Sequence, residues 1–134
     1  MNNCTMCNGK LNKETYKKSM SYKNKILTIE MTGDYCKECE EGFFNDEEQA
    51  LITNRILLAK RKADNLLTPE NVRRIRKKVK LTQKEAQEIF GGGVNAFSKY
   101  ERAEVTQPRS TDTLLRLLDN KTLSIEQIKP NKFG

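Results

Sequence analysis

The chain has 134 residues, 36% hydrophobic and 7% aromatic, with no Trp and no His, and 25 Lys and Arg against 18 Asp and Glu for a net charge of +7. That is room for one ordinary domain or two small ones, and too little apolar material for a single large core. A His-based triad and a His-ligated catalytic zinc are excluded, no apolar run reaches the roughly twenty residues of a membrane span, and "MNNCTMCNGK" lacks the apolar stretch of a secretory signal.

The expectation is a cytoplasmic protein without a membrane segment, where paired cysteines bind metal more often than they form disulfides. Charge is unevenly spread. Residues 1–66 hold 11 Lys/Arg and 10 Asp/Glu, and residues 67–134 hold 14 and 8. Two halves of different character are implied, the second suited to a polyanion.

In chain order, residues 1–44 begin and end with cysteine pairs. Between them "ETYKKSMSYKNKILTIEMTGDYC" is rich in β-branched and aromatic residues. Its Lys23-Asn24 centre predicts a β-hairpin over 14–22 and 25–32. Asn45, with Glu48 three residues on, predicts a capped helix start. Leu51, Ile52, Arg55, Ile56 and Ala59 form its expected inward stripe. The pattern breaks in "ADNLLTPE", so the domain boundary is placed near 64–68.

Helices then follow in quick succession. Thr68 caps the first, with Pro69 at its first position. Val72, Ile75 and Val79 face inward, and Arg73, Arg74, Arg76, Lys77 and Lys78 lie mostly outside. Thr82 and Glu85 have capping-box spacing at the start of the second, which buries Leu81, Ala86, Ile89 and Phe90. After Gly91-Gly92-Gly93 a third helix is expected over 94–103, with Val94, Phe97 and Tyr100 in the core. Ser110 is read as the cap of a fourth, carrying Leu114, Leu115, Leu117 and Leu118, and Ser124 as the cap of a last turn before Pro130. The expected fold is α+β: a small zinc-bound β-hairpin/helix domain at 1–66, then an all-α helix-turn-helix domain of about five helices at 67–134.

Two short helices joined by a glycine turn describe a helix-turn-helix unit. Asn95, Lys99 and Arg102 recur at i, i+4 and i+7, away from the core. Asn pairs bidentately with adenine and Lys donates to guanine, so Asn95 and Lys99 are the candidate base readers. Thr82, Gln83 and Lys84, at a helix start that favours phosphate, are candidate backbone contacts, with Arg73, Arg76 and Arg102. Polar residues on a helix are ordinarily just solvated. The combination of basic helix, capping box, glycine turn and short following helix is what points to double-stranded DNA.

Cys4-x-x-Cys7 and Cys36-x-x-Cys39 lie 28 residues apart. Four thiolates satisfy one tetrahedral Zn²⁺ and leave no open position, so the site reads as structural, with one ion per chain. Disulfides, redox thiols and a rubredoxin-like iron site are the alternatives, although a rubredoxin leaves the basic helical half unexplained. No enzyme is expected: there is no Walker loop, the glycine run lacks the strand before it that a dinucleotide site needs, and Glu38, Glu40 and Glu41 read as solvated charges.

"KLTQKEAQEIFGGGVNAFSKYE", with the CxxC pairs upstream, closely resembles the MqsA (YgiT-type) antitoxins. The resemblance implies an N-terminal zinc domain that grips a small endoribonuclease toxin of the MqsR type. It also implies a C-terminal helix-turn-helix of the Xre/Cro class that homodimerises on a palindromic operator and represses its own operon. The zinc ligands match at Cys4, Cys7, Cys36 and Cys39, and the adenine reader at Asn95. The second reader, usually Arg, is Lys99, and the glycine that commonly ends the recognition helix is Ala103. A stand-alone zinc-containing helix-turn-helix regulator without a toxin is the alternative.

Overall fold

A computed structural model of the chain describes residues 3–129 and resolves two compact units, divided between Lys60 and Arg61. In the first, strands β1 (Leu11–Tyr22), β2 (Lys25–Cys36) and β3 (Gly42–Phe43) form an antiparallel sheet in that order. The β1–β2 register runs from Leu11 opposite Cys36 to Tyr22 opposite Lys25, around a turn in which Lys23 takes a positive φ of 54°. This hairpin is longer than the pattern over 14–22 and 25–32 predicts. Polar cross-strand pairs extend it beyond the β-branched run: the Thr15 and Thr32 hydroxyls bond at 2.7 Å, and Lys13 Nζ lies 3.2 Å from Asp34.

Helix α1 (Asp46–Ala63) starts as predicted, with Asn45 Oδ1 accepting from the Glu48 N–H at 2.7 Å and Glu48 Oε1 accepting from the Asn45 N–H at 3.1 Å. The other Glu48 oxygen accepts from Lys13 at 2.8 Å, and Arg55 donates to the Glu30 carbonyl at 2.8 Å, so the helix lies along the hairpin. The expected apolar stripe is only partly inward. Ile52 is buried and Leu51 is exposed, because adjacent helical residues point about 100° apart.

The second unit holds α2 (Pro69–Lys78), α3 (Gln83–Phe90), α4 (Ala96–Glu101), α5 (Arg109–Asp119) and α6 (Ile125–Ile128). Thr68 caps α2 by accepting from the Asn71 N–H at 3.2 Å, and Thr82 and Glu85 form the predicted capping box of α3. One core gathers Val72, Ile75, Leu81, Ala86, Ala96, Phe97, Tyr100, Leu115 and Leu118, with Val79, Ile89 and Phe90 packed against it. The start of α5 differs from expectation: Pro108, not Ser110, occupies the cap position, and its fixed φ leads the chain in from an extended conformation. At α6, Gln127 accepts from the Ser124 N–H at 2.7 Å, while Pro130 lies outside the described residues. Among the described residues no helix is long and apolar enough to cross a membrane.

Buried polar groups tie this unit together. Arg61, only 2% exposed, donates to the carbonyls of Leu67 (2.6 Å) and Tyr100 (3.1 Å) and to the Gln107 side chain. Gln107 in turn donates to Asp112 at 2.9 Å, and Asp112 also accepts from the Leu67 N–H at 2.7 Å and from Arg116 at 2.8 Å. Burial opposes ionisation of Asp112, but the Leu67 N–H and then Arg116 and Gln107 outweigh it, so its carboxyl is held below the ordinary carboxylate range. A carboxyl depressed in the folded state contributes stability that is present above its unfolded pKa and lost as pH falls below about 4. Asp112→Asn should therefore cost about 2 kcal/mol at neutral pH, and the gap to the parent should narrow as pH drops below about 4. Thermal unfolding of both chains at neutral and acid pH checks this; a gap independent of pH would contradict it.

Candidate functional site

The four-cysteine cluster is built from two backbone knuckles of the same design. In each, the first cysteine's N–H donates to a carbonyl five residues on: Cys4 to Gly9 at 2.7 Å, and Cys36 to Glu41 at 2.9 Å. In each, the first cysteine's carbonyl accepts from the residue four on, Asn8 at 2.8 Å and Glu40 at 3.0 Å, and both of these have a positive φ (61° and 65°). The β1–β2 register sets Leu11 opposite Cys36 and so brings the knuckles together. The four Sγ atoms lie within 4.8 Å of one another, with Cys4–Cys39 at 3.6 Å and Cys7–Cys36 at 3.4 Å, and none is in a disulfide.

Tetrahedral Zn–S bonds of about 2.3 Å place sulfurs about 3.8 Å apart, so the cluster has the dimensions of a four-thiolate site. The Cys39 N–H donates to Cys36 Sγ; burial opposes it, but the Glu38 N–H adds to it, and the thiol is held down at about 7. Cys39 is pushed up to about 12: the Glu41 N–H favours its thiolate, but burial and the neighbouring sulfurs outweigh that. Four thiolates this close need a cation, and coordination deprotonates a thiol outright. These four cysteines could hold one metal ion.

The helical unit assembles a second surface. Gly91, Gly92 and Gly93 all have positive φ (80°, 102° and 87°), which explains a run of glycine: three successive side chains would each be strained. A Cβ on Gly92 would also lie 2.6 Å from the Tyr100 hydroxyl. Gln87 holds both ends of the turn, its backbone carbonyl accepting from Gly91 N at 2.8 Å and its side-chain oxygen from Asn95 N at 2.9 Å. Asn95 takes a left-handed conformation (φ 59°) at the N-cap of α4, yet its side chain makes no capping bond.

Gln83, Lys84, Gln87, Val94, Asn95 and Ser98 line one cleft of about 340 Å³. Three of these, Gln87, Val94 and Ser98, are absent from the sequence-derived candidates. Gln87 lies one helical turn beyond Gln83 on α3, so helical spacing could have found it; Val94 and Ser98 join the cleft through the conformation of the turn before α4, which spacing does not show.

Two expectations on this face are corrected. The helix begins at Ala96 rather than 94, because the left-handed Asn95 breaks helical periodicity; Ala96 takes the buried position and Val94 is 75% exposed. Arg76 is buried rather than outside: it donates to Glu101 at 2.7 and 2.9 Å and to the Leu81 carbonyl at 2.8 Å, tying α2 to α4. Gln83 reaches the same Glu101 at 3.3 Å, and Thr82 is occupied as a cap. Lys84 and Lys99 are exposed, as is Arg73 on α2. Arg102 is exposed too, paired with Glu104 at 3.0 Å. The chain after α4 turns at Ala103, with φ 60°.

Comparison with known proteins bears on both surfaces. The family described as the antitoxin component of bacterial toxin-antitoxin system, MqsA, matches residues 1–129. A curated relative, Antitoxin MqsA of Escherichia coli (strain K12), is 42% identical over 98 residues, covering 72% of this chain and 75% of the relative.

The first knuckle depends on one glycine. A Cβ at Gly9 would stand 2.9 Å from Cys36 Sγ and 2.8 Å from the Glu38 side chain. Gly9→Ala should therefore weaken metal retention about ten-fold or more while leaving all four cysteines in place. Competition with a chromophoric zinc chelator measures it; an unchanged affinity would mean the knuckle is looser than its geometry.

Proposed function

The chain belongs to the MqsA antitoxin family, and from that premise we propose that it neutralises a small endoribonuclease toxin through a zinc-held N-terminal domain and represses its own operon through its helix-turn-helix. The four thiolates of Cys4, Cys7, Cys36 and Cys39 would hold one structural Zn²⁺. The ion supplies cross-linking alone, and this chain's own residues fix the hairpin that faces the toxin. Four thiolates and one Zn²⁺ would bring residues 1–66 from +1 to −1, which suits a basic ribonuclease partner.

On the DNA side one observation carries the reading. Asn95 stands at a helix cap with its backbone clamped by Gln87, but spends no side-chain bond on the cap. Its amide is left for an outside partner, and adenine in the major groove is the chemical match. Lys99, one turn on, would donate to guanine as a point charge, without the fixed fork of Arg. Lys84 and Gln83, at the start of α3, would meet phosphate, with Arg73 and Arg102 adding positive charge. Arg76 is left out of that set because Glu101 and Leu81 already occupy it. A palindromic operator would take a homodimer formed by the C-terminal domains, one α4 per half-site. The protein would act in the cytoplasm, where both the toxin's RNA target and the operator lie.

Asn95→Ala should lose about 1–3 kcal/mol of discrimination between the operator and scrambled DNA. Lys84→Ala should instead weaken both, and lower the slope of log K against log salt by about one unit. Titrations at several salt concentrations separate the two, and an operator preference untouched in Asn95→Ala would place the recognition surface elsewhere.

A further inference from the structure

Val94 is unused by everything above. It stands 75% exposed in a cleft whose other lining residues, Gln83, Lys84, Gln87, Asn95 and Ser98, are all polar. Isolated exposed aliphatics are ordinary on protein surfaces, but this one is held in place. It lies between Gly93, with φ 87°, and Asn95, with φ 59°, and the N–H that follows it is fixed by Gln87 Oε1 at 2.9 Å. Its β-branched side chain is stiff about χ1, so little freedom is lost on contact.

The edges of base pairs in the major groove present donors, acceptors and a single apolar group, the C5-methyl of thymine. A polar reading surface with one rigid aliphatic beside its adenine reader matches that chemistry. We propose that Val94 reads a thymine methyl, within one base step of the adenine taken by Asn95. The spacing agrees: successive Cα atoms are about 3.8 Å apart and successive bases about 3.4 Å. This inference rests on the DNA-binding reading above and adds to it a specificity determinant with a defined ligand group.

The test removes the methyl without touching the protein. The full chain is titrated against a duplex of the DNA immediately upstream of the operon that encodes it. The same duplex is then made with deoxyuridine for thymidine, first throughout and then at single positions. Binding should weaken about four-fold for each contacted methyl removed, at positions within one step of the adenine whose replacement mimics Asn95→Ala. Val94→Ala should bind the thymidine duplex more weakly and show a smaller further loss with deoxyuridine than the parent, while Lys84→Ala should keep the full deoxyuridine loss. Equal binding of the parent chain to both duplexes, or a Val94→Ala chain as sensitive to the methyl as the parent, overturns the assignment while leaving DNA binding intact. A parent chain with no preference for the upstream duplex over scrambled DNA would instead overturn the DNA-binding reading, and this inference with it.

Discussion

Four sulfur atoms within 4.8 Å of one another, joined by no disulfide, are the constraint on which the first unit depends. Its apolar reserves are thin: the cluster around the knuckles is Cys4, Leu11 and Cys36, with Phe43 packed against it, and Leu27, Ile29, Tyr35 and Ile52 are the other buried apolar side chains of this unit among the described residues. β1 is exposed along most of its length. A sheet of this kind does not bury enough surface to hold itself together. The cysteines close the open end of the hairpin, and Lys13, Glu48 and Arg55 fasten α1 along it. A metal bound there contributes its binding free energy directly to folding.

The second unit solves a different problem. Its α3–α4 surface must be rigid to sub-ångström tolerance if it is to read bases, yet the turn that joins the two helices contains three glycines. Rigidity comes from outside the turn. Gln87 clamps both of its ends, the Arg76–Glu101 pair fixes α4 to α2, and Arg61 holds the carbonyl of Tyr100 at the other end of α4. Replacing a buried ion pair with apolar residues is often neutral, but removing one partner leaves a buried charge and is costly.

Much of this was legible in the sequence. Hairpin, glycine turn, most of the helical core and every expected cap but Ser110 follow from local rules: alternation, capping boxes and the spacing of Val72, Ile75, Phe97 and Tyr100. The metal cluster followed from cysteine spacing and the absence of His. What stayed hidden depends on long-range partners or on a single dihedral angle. The burial of Arg76 needs Glu101, 25 positions away. Val94 looks like a core residue until Asn95 turns left-handed and starts the helix two residues late. Gln87 is an ordinary helical glutamine until its partner across the turn is known.

The central claim is that neutralising the toxin and reading DNA belong to separate surfaces of one antitoxin chain. The most direct test is growth of cells producing a small endoribonuclease toxin of the proposed MqsR type, together with the full chain, its Asn95→Ala variant or its Cys36→Ser variant. The account predicts that the parent and Asn95→Ala chains restore growth and that Cys36→Ser does not. Failure of the parent chain to restore growth, or rescue that is indifferent to Cys36, would contradict it.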